Sequence, residues 1–505
     1  MVDMNRRQFL KALSSATAAI VVGRQVRAGQ RRGERVNLLF IMTDQQRWDA
    51  MGCAGNAVIK TPNLDRLATQ GARFTKFYSS CPVCVPARTV ILTGHGLEAT
   101  QIRGNKDQDK EDGPKLPTFD QVLLRGRYRG EYHGKWHSPY KFSLDYTRPV
   151  RWLNGKNPPP GCKADESESG AFRAYLAARL PKRELRPGEL TVSDMPYTPD
   201  PLDSRYGKGP DAVAASQADC YGCLNTPPDV CHTAWTASEG IEALDRLKDG
   251  PFTLTISIGP PHPPMVVARP YYGMYPAESI HAPANIDDPR IDSPYRDARK
   301  GGDKAYRDKG KIRQMTSVYY GMVSQVDEWV GKILARLEDL NLADRTLVIF
   351  TSDHGEMLGE HGMHGKGCFY EGAVHVPLLM RLPGIIPPKT VVTAPASHVD
   401  LLATILDYCG TDAPPSQGSS LRPLIEGKDA GAARVAISEW NSTAVPGFMV
   451  CDGRWKLLFG RSAEARSLDA LYDLQADPGE TRNLLAHEGE RDKHKEQAER
   501  LKAAL

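Results

Sequence analysis

The chain lacks three things that would place it quickly. It has no large excess of charge, no internal repeat, and no apolar stretch of membrane-spanning length. Lys and Arg number 65 against 61 Asp and Glu, a formal net charge of +4. That balance gives no electrostatic case for a nucleic-acid partner, although a local cationic pocket remains open. A spanning helix needs about 20 apolar residues, so the expectation is a chain with no membrane anchor. The composition, 40% hydrophobic and 25% charged, excludes a disordered or fibrous chain. A length of 505 residues suits one large α/β domain and a smaller one.

Of the ten cysteines, Cys220, Cys223 and Cys231 cluster in a loop rich in Asp, Gly and Pro. Cys220-x-x-Cys223 is half of a zinc pattern with no second half, and in an oxidising compartment a loop disulfide is the favoured reading. That compartment is suggested by the N-terminus. Asn5-Arg6-Arg7-Gln8-Phe9-Leu10-Lys11 matches the twin-arginine export pattern, a mildly apolar stretch runs from Ala12 to Gly23, and Val26-Arg27-Ala28 offers a small-residue cleavage site. Residues 1–28 are therefore expected to be a signal peptide, and the protein to be periplasmic or extracellular in a bacterium.

From residue 36 onward, short apolar runs alternate with helical periodicity. Strands are expected over 36–42, 74–78, 128–132, 252–258, 346–350 and 376–381, and helices over 63–70, 86–93, 234–247, 312–340 and 401–408. This alternation implies a mostly parallel sheet with helices on both faces. The stretch from Tyr140 to Cys231 is Pro-, Gly- and charge-rich and reads as an elaborated loop region. After about residue 426, short strand-like runs (435–439, 455–459, 471–474) and a charged helix from about 488 suggest a small α+β subdomain. The expected division is 34–425 for a catalytic domain and 426–505 for that subdomain.

Several polar clusters directly follow apolar strands, where open α/β sheets bind ligands. Asp44-Gln45 ends the first, and Thr351-Ser352-Asp353-His354-Gly355-Glu356 ends a later one. Two carboxylates from separate strands suit a hard cation such as calcium. Gln45 can add a carbonyl oxygen, and the His354 nitrogen makes manganese or another divalent ion the second choice. Gly134-Lys135-Trp136-His137 places Lys135 and His137 on one side if the chain is extended. His262, between Pro260-Pro261 and Pro263-Pro264, is held rigidly enough to serve as a general acid. Lys366 lies between two glycines, which let the backbone approach a ligand closely. His361 and His364, in the same loop, read as exposed.

The most telling run is Cys84-Val85-Pro86-Ala87-Arg88, continuing to Leu92-Thr93-Gly94. It resembles the signature of the type I, formylglycine-dependent sulfatases of the alkaline phosphatase superfamily, although Ala87 replaces the serine most common there. Ile102-Arg103-Gly104-Asn105 and the late Leu471-Tyr472-Asp473-Leu474 with Asp477-Pro478, Glu480 and Asn483-Leu484 share the resemblance, which runs from Asn37 to Leu484. It implies an alkaline-phosphatase-like fold with a small antiparallel C-terminal sheet. It also implies a Cys84 oxidised by a formylglycine-generating enzyme, and hydrolysis of a sulfate monoester by the hydrated aldehyde through a covalent sulfate ester. By the same resemblance Asp44, Gln45, residue 84, Asp353 and His354 hold the metal and Arg88 steadies the nucleophile. Lys135 and Lys366 grip the sulfate, His137 is the base for its release, and His262 is the acid for the leaving alcohol. His375 stands where many members carry arginine. A sulfated glycan is the expected substrate. A phosphonate monoester or phosphodiester hydrolase is the alternative within the superfamily, and a non-catalytic glycan-binding protein with an intact Cys84 thiol is the alternative outside catalysis.

Overall fold

The computed structural model describes residues 35–110, 114–139, 168–181, 183–208, 220–296, 306–429, 434–440, 447–460 and 469–505. The expected signal peptide, 1–28, lies outside them. Residues Arg35–Leu505 form one compact unit. Among the described residues, no helix is long and apolar enough to cross a membrane.

The organising strand is β1, Asn37–Asp44, buried along its whole length. Its side chains alternate between two apolar clusters, as a pleated strand requires. Leu38, Phe40 and Met42 pack with Phe119, Leu401 and Ile405 on one face. Leu39 and Ile41 pack with Trp235, Leu244 and Ile333 on the other. Covered on both faces, β1 reads as a continuous apolar run rather than an alternating one.

Six strands join β1. They are β2 (Ala72–Phe74), β4 (Arg129–Gly134), β8 (Phe252–Pro261), β10 (Thr346–Ser352), β11 (Leu378–Arg381) and β12 (Thr390–Val392), and the order across the sheet is β12-β2-β11-β10-β1-β8-β4. The pairs β1–β10, β1–β8, β4–β8 and β12–β2 are parallel. Only β11 runs against its neighbours. The expected mostly parallel sheet with helices on both faces is thus present. Because β1, β4, β8 and β10 share a direction, their C-terminal ends bring Asp44, Lys135, His262 and Asp353 to one edge.

Where the sequence pattern blurred, the structure differs. The expected strand 74–78 is two strands, β2 and β3 (Phe77–Tyr78), which belong to different sheets, β3 pairing with β13 (Ala396–Ser397). The stretch 140–231, read as loop, contributes most of a four-stranded sheet. It orders β5 (Leu190–Val192), β6 (Met195–Pro199), β7 (Tyr221–Leu224) and β9 (Met265–Ala268). Strands of three to five residues carry too little periodicity to be read, and Pro196 and Pro199 inside β6 masked it further. Among the described residues no disulfide joins Cys220, Cys223 and Cys231 to one another, so the expected loop disulfide is not formed. Cys223 sits within β7 and Cys231 begins the helix His232–Leu247 from outside, so the three lie on separate elements rather than in one loop.

At the C-terminal end β14 (Ala436–Glu439), β15 (Phe448–Cys451), β16 (Trp455–Phe459) and β17 (Ala470–Asp473) form an antiparallel sheet. One face packs against Leu501 of the helix Glu488–Lys502, and the other against Phe369 and Tyr370. Lys456 of β16, wholly buried, pairs with Glu371 at 2.9 Å and Glu480 at 2.8 Å. Burial, with Glu371 alongside, lifts the Glu480 carboxyl to about 7.

The long helix Lys309–Asp339 also secures a shorter one. Asp327 accepts hydrogen bonds from Leu64 N at 2.7 Å and Asn63 N at 3.2 Å, capping the helix Pro62–Gln70 from another element. Asp327→Ala would orphan these donors, and denaturant unfolding is expected to show a loss of about 1–3 kcal/mol. An unchanged midpoint would show that the cap contributes nothing.

Candidate active site

Cys84 is the first residue of the helix Cys84–Thr93, two residues earlier than the periodicity suggested, and is 1% exposed. A thiol at a helix N-terminus meets the positive end of the backbone dipole. The next amide, Val85 N, is held by Asn105 Oδ1 at 3.1 Å, which gives the Arg103-Gly104-Asn105 stretch a structural part in the site. Around the Sγ atom stand His354 Nε2 at 3.1 Å, Lys366 Nζ at 3.2 Å and Asp44 Oδ1 at 4.0 Å. Burial alone would push this thiol up, but Lys135, Lys366, His354 and a hydrogen bond from His137 pull it well below the ordinary cysteine value. Cys81, three residues away in an apolar cluster, is pushed well up by burial instead. The two neighbouring cysteines therefore differ sharply in charge.

Asp44 and Asp353 are both fully buried. Arg88, one helical turn beyond Cys84, joins them, with Nε on Asp353 at 2.7 Å and Nη2 on Asp44 at 3.3 Å. Its Nη1 donates to the Lys135 carbonyl at 2.8 Å and to Ser257 Oγ at 2.9 Å. Arg88 is thus engaged by protein on every nitrogen and balances the two carboxylates. Lys135 Nζ donates to Asp44. Burial and the Cys84 thiolate push the Asp44 carboxyl up, yet Lys135, His262 and Lys366 outweigh them and keep it ionised well below the usual range.

Asp44, Cys84, Asp353 and His354 each offer a ligand atom, all within 4.8 Å of one another. His354 Nδ1 donates to the Gly355 carbonyl at 3.0 Å, which turns Nε2 toward the cluster, 3.6 Å from each carboxylate. Such an outer hydrogen bond is the usual way to orient a metal-binding imidazole. The amide of Gln45 is oriented too. Its Nε2 donates to Glu356, so Oε1 faces inward and accepts from Lys366 at 2.6 Å. Two buried carboxylates, an oriented imidazole and an inward amide oxygen fit a divalent cation.

Lys135 and His137 do converge, though not by strand alternation. β4 ends at Gly134, and positive φ at Gly134 (92°) and His137 (47°) turns the chain over Cys84. Burial, with Lys135 nearby, lowers His137 below its ordinary value. His262 Nδ1 lies 2.7 Å from the Pro263 carbonyl. Glu356 received no role from sequence reasoning, although it closes the Asp353 motif. It is buried and accepts from Gln45 Nε2 and Gly365 N, tying the first strand end to the Lys366 loop. His361, expected to be exposed, is fully buried, hydrogen-bonded to Asp288 at 2.6 Å and stacked on Tyr370. His364 is half-buried, 3.7 Å from Glu356. His375 stacks on Trp48 and Tyr78, with ring centroids 4.4 and 5.0 Å apart.

This constellation defines a buried site for hydrolysis of anionic esters, and comparison places it. Residues 36–411 match the sulfatase family model, and residues 359–505 match that of the N-sulphoglucosamine sulphohydrolase C-terminal region. The chain belongs to the sulfatase family, within the alkaline phosphatase superfamily, and is a sulfuric ester hydrolase. Among relatives, it is 26% identical to a choline-sulfatase of Rhizobium meliloti, over 89% of this chain and 82% of that one. It is 27% identical to an N-acetylglucosamine-6-O-sulfatase of Bacteroides thetaiotaomicron, over 89% and 83%. The structure is similar to a phosphonate monoester hydrolase of Agrobacterium radiobacter, with a TM-score of 0.74, 25% identity, and coverage of 93% and 95%.

The ligand set yields a test that does not depend on activity. The purified protein is expected to carry about one divalent ion per chain, measured by elemental mass spectrometry, and Asp353→Asn to carry much less. Equal occupancy in both would place the ion elsewhere.

Proposed function

We propose that the protein cleaves sulfate monoesters of carbohydrates with a formylglycine made from Cys84, assisted by calcium, or by manganese as second choice. The observation that carries this reading is the placement of Cys84 Sγ among two buried carboxylates, His354 Nε2 and two lysines. The cations that lower the Cys84 thiol would equally receive a negatively charged oxygen at that place. The Sγ position is where an aldehyde hydrate's oxygen would lie. Once formed, the group supplies a hydroxyl able to attack sulfur, as an activated nucleophile in a site already poised for negative charge.

The protein's own residues then have these tasks. Asp44, Asp353, His354 and Gln45 hold the cation. Arg88 pairs with both carboxylates and holds them in register. Lys135 and Lys366 bracket the sulfuryl oxygens and offset the charge that grows on them. His262, with Nδ1 committed to Pro263, delivers a proton from Nε2 to the departing alcohol oxygen. His137, neutral because burial lowers it, accepts a proton at residue 84 when sulfate leaves. The maturation partner is a formylglycine-generating enzyme. Export through the twin-arginine signal would follow in the folded state, to the periplasm or beyond, and 34–425 and 426–505 serve as catalytic domain and subdomain.

Hydrolysis of phosphonate monoesters is the second reading, favoured by the fold likeness to the Agrobacterium radiobacter enzyme. Purified protein is expected to show a higher kcat/KM on an aryl sulfate than on the matching aryl phosphonate. The reverse order would overturn the sulfatase assignment of this chain's chemistry in favour of the second reading.

The histidine makes a separate prediction. Because His137 is lowered from 6.5, it is neutral at pH 7 and gains its proton only as pH falls below 6.5. An acid limb in kcat is therefore expected below pH 6.5. His137→Ala should remove that limb and show a burst of alcohol followed by slow turnover. An unchanged profile with no burst would remove His137 from the release step.

A further inference from the structure

The groups gathered around Cys84 Sγ all lie at or before residue 366, and none belongs to the C-terminal sheet. The two parts of the molecule meet at the short helix Glu371–Val374, which follows the Lys366 loop. Backbone carbonyls of this helix and of the residue after it hold three segments of the site. Gly355 N, directly after His354, donates to Ala373 O at 2.8 Å, Ser79 N donates to Val374 O at 2.7 Å, and Trp48 N donates to His375 O at 3.4 Å. These segments carry Asp353-His354, the approach to Cys84, and Asp44-Gln45. The first contact is so close that a Cβ at residue 355 would collide with Gly372 O, so glycine is required there. The Ser79 hydroxyl also donates to Asp353 O at 2.6 Å, joining two of the three segments directly.

The first residue of that helix is anchored from the C-terminal subdomain. The Glu480 carboxylate accepts from Glu371 N at 2.6 Å. Lys456 stands between the two carboxylates, 2.8 Å from Glu480 and 2.9 Å from Glu371. Burial would lower the Lys456 ammonium, but Glu371 and Glu480 hold it well above its ordinary value. Burial would raise the Glu371 carboxyl, but Lys456 and His375 hold it low. Glu480 itself is buried, and its backbone sits at φ 52°, a left-handed conformation that glutamate seldom adopts. Buried ion pairs contribute little net stability over apolar residues of the same volume, and strained backbone concentrates where a geometry has to be held.

We propose that Glu480 is a positioning residue for ester hydrolysis: it holds Glu371 N, Lys456 fixes both carboxylates, and the helix Glu371–Val374 so placed sets the Asp353-His354 turn and the approach to Cys84. The inference rests on the catalytic roles proposed above. The C-terminal subdomain thereby acts on the reaction through backbone placement, from Glu480 to Glu371, then through Ala373 to Gly355 and through Val374 to Ser79. What the helix takes from residue 480 is a hydrogen-bond acceptor at a fixed point. A misplacement of about 1 Å in groups that orient a reaction costs up to about a hundredfold in rate, so loosening this chain falls on turnover rather than on substrate affinity.

The test compares wild type with Glu480→Ala, which removes the acceptor and leaves Lys456 paired with Glu371, and with Glu480→Gln, which keeps an acceptor without the charge. The substrate is 4-nitrophenyl sulfate, and kcat is counted per chain carrying formylglycine. Glu480→Ala is expected to lower kcat about tenfold with KM within about twofold of wild type, and Glu480→Gln to return kcat to within about threefold. Hydrogen exchange read by mass spectrometry gives an arm independent of catalysis. The Gly355 amide is expected to exchange about tenfold faster in Glu480→Ala, while β1 exchanges as in wild type. Should Glu480→Ala fail to fold, Glu480→Asp, which draws the carboxylate back by one methylene and keeps its charge for Lys456, carries both measurements with the same directions expected. An undiminished kcat, a loss that glutamine does not recover, an unchanged Gly355 amide, or exchange accelerated equally along β1 would each overturn the positioning role. If no form of the protein turns over a sulfate ester, the catalytic reading fails by itself, and exchange at Gly355 still decides whether Glu480 sets the turn.

Discussion

Two buried carboxylates set the terms for everything around them. Asp44 and Asp353 stand at the ends of neighbouring parallel strands, wholly removed from water, and Arg88 bonds both. An ionised carboxylate without partners is too costly to bury. The fold therefore concentrates cations here, with Lys135 on Asp44 and Lys366 at Gln45 and Cys84. The same cations make the environment of residue 84 receptive to negative charge. In the function proposed above, the arrangement that stabilises the carboxylates also offsets charge during ester cleavage.

Much of this was legible in the sequence. Strands such as β1 and β10 announce themselves because burial on both faces demands an unbroken apolar run, and the polar residue that ends such a run must lie at the sheet's C-terminal edge. Asp44, Lys135, His262 and Asp353 were found that way, and the Cys84 motif added the helix that carries Arg88. The convergence of Lys135 and His137 came by a different route from the one anticipated. A turn built on left-handed residues, not strand pleating, brings both over the thiol.

What stayed hidden has physical causes. Glu356 accepts from Leu358 N and Gly365 N close by, but the contact that ties it to the site comes from Gln45, more than 300 residues earlier, and leaves no local signature. The sheet β5-β6-β7-β9 is built from strands too short and too proline-interrupted to show a period, and β9 joins from the far side of β8. His361 looked like an exposed loop histidine because its partners, Asp288 and Tyr370, come from two other segments. The candidate site residues Asp44, Lys135, His262 and Asp353 lie instead at strand ends, which sequence patterning reveals.

The central claim is that position 84 is an aldehyde in the working protein. Mass spectrometry of the tryptic peptide spanning 77–88, from protein made alongside a formylglycine-generating enzyme, addresses it directly. The account predicts a peptide about 18 Da lighter than the cysteine form, since the thiol is replaced by an aldehyde oxygen. An active preparation whose peptide carries the unmodified thiol throughout would contradict it.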